Sequence, residues 1–107
     1  SSALSAIGAK LERDVIPGEL IKLSKNGVET EMFSTETSRA HCSFEFTYFA
    51  HPASKMEGSN IYVARKNIGR YLAKKFPFKD ADLVIPVPDS ARPAALGYAQ
   101  ELGIPFD

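Results

Sequence analysis

The stretch Pro86-Val87-Pro88-Asp89-Ser90-Ala91-Arg92 holds the residue types best suited to chemistry. Two prolines stiffen it, Asp89 can position a cation, Ser90 offers a hydroxyl with backbone donors after it, and Arg92 offers a planar fork that matches phosphate. It follows the apolar run Leu83-Val84-Ile85 and precedes an amphipathic segment. In an open parallel sheet that place lies outside the carboxyl end of a strand, where the free N–H groups and dipole of the next helix favour anions. Phosphate is the natural ligand. A blander reading needs none, since Asp89 and Ser90 are also good amino-terminal helix caps, and the two readings are compatible.

Other candidates are weaker on their own. Cys42 has His41 beside it and His51 beyond the aromatic stretch, but adjacent strand residues face opposite ways, and one thiolate is far from a four-ligand cage. It reads as a buried, inert cysteine. Glu45 reads as solvent-facing or arginine-paired, and Phe44, Phe46, Tyr48 and Phe49 read as core. Arg65 and Asn67, near the start of a helix, read as surface or lobe contacts rather than ligand contacts.

These residues need elements to hold them. Leu20–Lys25 and Val28–Phe33 flank Asn26-Gly27, a dipeptide that tolerates the positive φ angles of a type I′ turn, which predicts a hairpin. Residues 34–41, STETSRAH, contain no large apolar side chain and predict a surface linker at a lobe boundary. Cys42, Phe44, Phe46 and Tyr48 alternate with polar residues, the period of a strand. Ile61, Ala64, Ile68, Leu72 and Phe76 recur at helical spacing, with Ser59 or Asn60 as cap. Leu83-Val84-Ile85 predicts a strand covered on both faces. A second helix follows, with Pro93 in its first turn, Ala95, Tyr98, Ala99 and Leu102 as its buried stripe and Gly103 at its end. Ile104-Pro105-Phe106 opens a further strand.

Composition narrows the function classes. The 107 residues suit a single domain and are too few for a complete multidomain enzyme. Thirteen basic against 13 acidic residues leave no net charge, which argues against nucleic acid or an anionic membrane as partner. One cysteine builds no disulfide framework, and no apolar run approaches the ~18 residues of a membrane span. The expectation is a soluble, cytoplasmic chain. With neither an initiator Met nor a leader, Ser1 reads as an internal cut.

Three ordered segments then carry a resemblance: CSFEFTYFAHPAS, IYVARKNIGRYLA and DADLVIPVPDSARPAALGYAQELGIPF. Together they resemble the middle of the glutamine phosphoribosylpyrophosphate amidotransferase (amidophosphoribosyltransferase) family, and SSALSAIGAKLERDVIPGEL resembles the end of that family's glutaminase domain. The implied fold class is mixed, α+β followed by α/β. Residues 1–41 would close an amino-terminal-nucleophile glutaminase domain with a β-hairpin and linker, and residues 42–107 would begin a type I phosphoribosyltransferase domain. The implied reaction transfers glutamine-derived ammonia to phosphoribosyl pyrophosphate, giving 5-phosphoribosylamine in the first step of purine synthesis.

By the same resemblance, Val87, Pro88, Asp89, Ser90, Ala91 and Arg92 form the pyrophosphate loop, with Ser90 near magnesium. Tyr48 lines an ammonia passage, and Cys42 matches the first ligand of an iron–sulfur cluster found in one branch of the family. Where the family has Arg then Pro-Asp-Ser, this chain has His51, Pro52, Ala53 and Ser54. The catalytic cysteine, the glutamine site and the paired-aspartate phosphoribosyl motif are absent, so the resemblance implies an inactive fragment. Lobes of about 40 and 65 residues are marginal alone, which predicts a homo-oligomer. The alternatives are a piece of a stand-alone nucleobase phosphoribosyltransferase, or a non-enzymatic module for phosphate binding or assembly.

Overall fold

The computed structural model describes residues 2–107. After a short helix α1 (Ser2–Ala6), the expected hairpin forms from β1 (Glu19–Ser24) and β2 (Gly27–Met32), paired antiparallel from Glu19↔Met32 to Ser24↔Gly27. Its turn differs from expectation. Lys25 and Asn26 are the two loop residues, Asn26 keeps a negative φ, and its N–H donates to the Ser24 hydroxyl at 3.2 Å. Gly27, at φ 124°, supplies the positive φ one residue later. The type I′ signature belongs elsewhere, to Glu57 and Gly58 (φ 48° and 74°), which join the two-residue strands β3 (Lys55–Met56) and β4 (Ser59–Asn60).

At the foot of the hairpin, the Arg13 guanidinium grips Glu19 with both arms, at 2.7 and 2.6 Å, and the Ile16 N–H donates to the same carboxylate at 3.1 Å. The hydrogen bonds from Arg13 hold the Glu19 carboxyl below its ordinary value, with the Ile16 amide adding to the effect. A carboxyl lowered in the folded state stabilises it above the unfolded value of about 4.3, and that contribution fades as pH falls through the lower native value. Glu19→Gln should therefore melt below the parent chain at neutral pH, and the gap should close in acid. A gap independent of pH would contradict the ion-pair assignment.

Residues 34–41 form neither helix nor strand, bend at Thr35, whose carbonyl accepts from the Thr37 N–H at 3.1 Å, and are mostly exposed, as their composition predicts. The aromatic segment corrects the sequence reading. It is a π-helical turn, Glu45–Phe49, with the Ala50 N–H reaching back to the Glu45 carbonyl at 3.1 Å. A strand needs a neighbouring ladder, and here the segment satisfies its backbone locally, helped by Thr47 Oγ1 donating to the Ser43 carbonyl at 3.1 Å. The aromatic residues are not core. Phe44 and Tyr48 are each 60% exposed, and their rings meet Phe49 at centroid distances of 6.1 and 5.2 Å. Cys42 is exposed rather than buried.

Helix α2 (Ile61–Lys75) begins at Asn60, whose Oδ1 accepts from the Val63 N–H at 3.1 Å. Asn60→Ala should cost about 1 kcal/mol, read as a lower urea midpoint at unchanged slope. No change in midpoint would show that the cap contributes nothing. Its partner α3 (Arg92–Leu102) ends at Gly103, which adopts the left-handed conformation the sequence suggested. The buried stripes differ from expectation: Ile61, Arg65, Gly69 and Ala73 on α2, and Pro93, Gly97 and Ala99 on α3. Ile68, Leu72 and Phe76 stay largely exposed, and Ala95, Tyr98 and Leu102 are only half-buried.

Close approach of the two backbones explains the change of stripe. A Cβ on Gly69 would stand 1.8 Å from the Ala94 carbonyl oxygen, and one on Gly97 would stand 2.0 Å from that of Lys66. Longer apolar side chains are thereby pushed to the flanks. The Tyr98 hydroxyl fastens the far end, donating to the Phe76 carbonyl at 2.9 Å and accepting from the Phe78 N–H at 3.0 Å.

The expected parallel sheet is reduced to one bridge, Val84↔Phe106, made by Val84 N–H to the Pro105 carbonyl (2.9 Å) and Asp107 N–H to that of Val84 (3.2 Å). With a single neighbour, the run is not covered on both faces, and Ile85 is 69% exposed. The radius of gyration is 19.1 Å, against ~13 Å for a compact domain of this length. The accessible surface of 8382 Å² exceeds the ~5,900 Å² typical of this mass. Among the described residues, the buried apolar core is Ile61, Ala73 and Ala99.

Candidate functional site

The loop from Pro86 to Ala91 is held at both ends. Before it, the Val84 bridge fixes the backbone; after it, Pro93 is buried in the first turn of α3 against α2. The Pro88–Asp89 peptide bond is cis. Asp89 and Ser90 do not cap the helix, contrary to the blander sequence reading. The residue preceding the helix is Ala91, in right-handed conformation, and no side chain accepts from the first turn. The Asp89 side chain is 91% exposed, and its Oδ1 lies 3.5 Å from Arg92 Nε. Among the described residues, the N–H groups of Ser90 and Ala91 and the Ser90 hydroxyl have no hydrogen-bond partner.

Two hollows flank this loop. The larger, about 520 Å³, is open and mainly apolar, with Tyr62, Ile85, Pro86, Pro88, Arg92 and Phe106 in its wall. The smaller, about 220 Å³, is lined by Thr47, Arg65, Ile68, Ser90, Ala91 and Ala94. The residues singled out from sequence are thus divided. Pro88 and Arg92 face the larger hollow, Ser90 and Ala91 the smaller, and Val87 a shallow groove along the helix pair. Chemically, the loop presents free amide donors, a free hydroxyl and a half-engaged guanidinium at the amino end of an 11-residue helix. That is an anion-accepting arrangement.

Tyr48 stands outside both hollows, while its neighbour Thr47 shares the smaller one with Ser90. Glu45 is half-exposed. The His51 Nδ1 accepts from the Ala53 N–H at 3.2 Å, and the His41 Nδ1 lies 3.4 Å from Glu57 Oε1, so both Nδ1 atoms are engaged with partners other than Cys42. No group of three or more His, Cys, Asp or Glu side chains is placed to hold a metal among the described residues. An iron–sulfur cluster takes four protein ligands, so the single exposed thiol of Cys42 does not make a cluster site here. Magnesium is different. It keeps much of its water and binds largely through substrate phosphates with one or two protein oxygens, a demand that the exposed Asp89 carboxylate and the Ser90 hydroxyl fit.

Sequence reading missed the paired glycines and the full role of Arg65. Gly69 and Gly97 lie mid-helix, where an unexplained glycine is a signal of close backbone approach.

No family model matches the chain. It does match curated amidophosphoribosyltransferases along almost its whole length. It is 49% identical over 110 residues to that of Rhizobium etli, covering 98% of this chain and 22% of the relative. Identity to the protein of Methanothermobacter thermautotrophicus is 46% over 104 residues, with 97% and 22% coverage. Among solved structures, glutamine phosphoribosylpyrophosphate amidotransferase from B. subtilis, complexed with ADP and GMP, superposes with a TM-score of 0.87 at 42% identity, covering 99% of this chain and 23% of that one. A structure described as the allosteric regulatory enzyme of purine biosynthesis gives 0.88, also at 42% identity, with the same coverage. The chain spans about a fifth of the length of these relatives. No helix among the described residues is long and apolar enough to cross a membrane.

Proposed function

The chain belongs to the amidophosphoribosyltransferase family, and from that premise we propose that it contributes the pyrophosphate loop of an enzyme transferring glutamine-derived ammonia to phosphoribosyl pyrophosphate. In this reading residues 1–41 close a glutaminase domain, and residues 42–107 open the transferase domain that makes 5-phosphoribosylamine in purine synthesis. One observation carries it: the two unpartnered amides and hydroxyl of Ser90-Ala91 stand at the amino end of α3, beside open hollows, in a chain that matches the family almost end to end.

The mechanism follows from charge. As the bond from the ribose anomeric carbon to the diphosphate breaks, negative charge grows on the departing oxygens. Fixed donors aimed at that charge lower the barrier, because they need no reorganisation when it appears. The Ser90 and Ala91 amides, the Ser90 hydroxyl and the α3 dipole fill that role. Arg92 supplies a guanidinium once it turns from Asp89, which holds it by one long contact of 3.5 Å. Magnesium, bound through the diphosphate with Asp89 or Ser90 as protein ligand, would neutralise part of the same charge.

The incoming nitrogen must arrive as neutral ammonia. A passage walled by aromatic side chains keeps it from water and from protonation, and Tyr48 fits that role in residue type. Exposed apolar side chains such as Leu23, Phe33, Phe44 and Phe49 need cover, which the rest of an intact enzyme supplies, and association between copies of that enzyme is part of the proposal. The proposal places the enzyme in the cytoplasm. The 107 residues alone are proposed to be inactive, because neither half-reaction finds its full set of groups in them. In an intact enzyme carrying this stretch, Ser90→Ala should lower turnover of phosphoribosyl pyrophosphate while glutamine hydrolysis holds, and loss of neither would remove the loop from the site.

The hairpin distinguishes this reading from a stand-alone nucleobase transferase, which would share the strand-loop-helix core, since the curated and structural matches include the hairpin as well as the loop. Turnover of phosphoribosyl pyrophosphate by the intact enzyme would exclude a purely regulatory or assembly module.

A further inference from the structure

Arg65 is 2% exposed, and no carboxylate lies within ion-pair distance of it among the described residues. A buried cation is costly unless its donors are used. Here they are used on backbone: Nε donates to the Phe46 carbonyl at 2.7 Å, and Nη2 to the Ala50 carbonyl at 2.8 Å. These oxygens lie in and just after the five-residue π-helical turn, where the last carbonyls of a helix lack intrahelical partners. The fork therefore straddles Thr47, Tyr48 and Phe49. The same side chain lines the smaller hollow with Thr47 on one side and Ser90 and Ala91 on the other.

From this geometry we propose that Arg65 is a positioning residue of the transfer reaction, fixing the backbone on both sides of Tyr48 and so where that ring stands relative to the Ser90 loop. The inference rests on the reading of Tyr48 as a wall of the ammonia passage. It requires arginine specifically, because the two carbonyls need a planar, two-armed donor, and a lysine ammonium is a point charge on a flexible stem. Misplacing the ring lets ammonia escape before it reaches the acceptor.

The experiment measures glutamate formed per phosphoribosylamine formed, in an intact enzyme carrying this stretch, for the parent, Arg65→Lys, Arg65→Met and Tyr48→Ala, with melting temperatures alongside. The expected result is a ratio raised about threefold or more in both Arg65 variants, a scale set by the sensitivity of transfer to ångström misplacement, and raised also in Tyr48→Ala. A raised ratio in Tyr48→Ala alone overturns the role of Arg65 and leaves the passage intact. An unchanged ratio in all three overturns the passage reading and this inference with it. Parallel loss of both activities with a lowered melting temperature in the Arg65 variants overturns it as well, because that pattern marks a merely structural contact.

Discussion

Gly97→Ala should unfold the helix pair rather than perturb it. Its new methyl would fall 2.0 Å from the Lys66 carbonyl oxygen, and the obstacle is backbone, which cannot swing aside as a side chain can. Relief requires α2 and α3 to separate along their whole contact, opening Gly69 against Ala94 at the same time. Overpacking of well-filled sites costs typically 1–3 kcal/mol, and a clash between two backbones belongs at or above the upper end, about 3 kcal/mol. For a chain of this size, that is a fall in melting temperature on the order of 12–24 °C. The core it acts on is small, so cooperative melting is expected to be lost or nearly so. Gln100→Ala, on the exposed side of the same helix, serves as control and should move little. A Gly97→Ala chain melting within a few degrees of the parent would contradict the observed crossing.

The second large effect is chemical. In an intact enzyme carrying this stretch, Ser90→Ala should lower kcat/KM for phosphoribosyl pyrophosphate on the order of 10- to 100-fold, the scale of removing one donor aimed at developing charge. Glutamine hydrolysis measured without acceptor should hold, because in the proposed arrangement that chemistry lies in a different domain. The selective loss matters as much as its size. Equal loss of both activities would mean that Ser90 supports the fold, and loss of neither would remove it from the site. Ser90→Thr, which keeps the hydroxyl, should recover part of the loss.

How legible was this in the sequence? The features fixed by local chemistry were plain. Asn60 caps α2, Gly103 ends α3, Pro93 sits in a first turn, and residues 34–41, without a large apolar side chain, stay mostly exposed. The misreadings arose where partners elsewhere in the chain decide the outcome. Alternation in Cys42–Tyr48 is compatible with a strand, but no ladder is available, and Arg65, nineteen residues from Phe46, accepts the role of terminating a turn instead. On α2 the large residues advertise one stripe, while the helix contact is set by its smallest residue, Gly69, which meets Ala94, as Gly97 of α3 meets Lys66.

The site shows the same division. Its residue types and place in the chain were readable, because proline, serine and arginine before a helix state their chemistry locally. Its geometry was not. That Ser90 and Arg92 face different hollows, and that Ser90 leaves the helix uncapped with its hydroxyl free, depends on how α3 crosses α2. The resemblance to amidophosphoribosyltransferases lies in three motifs ordered along the chain, and the curated relatives match 97–98% of its length.

Locating a bound diphosphate decides the matter most directly. Crystals of an intact enzyme carrying this stretch, grown with magnesium and pyrophosphate, should show diphosphate oxygens within hydrogen-bond distance of the Ser90 and Ala91 amide nitrogens and the Ser90 hydroxyl, with Arg92 turned away from Asp89. Diphosphate bound at another loop, with those three donors still empty, would contradict the account.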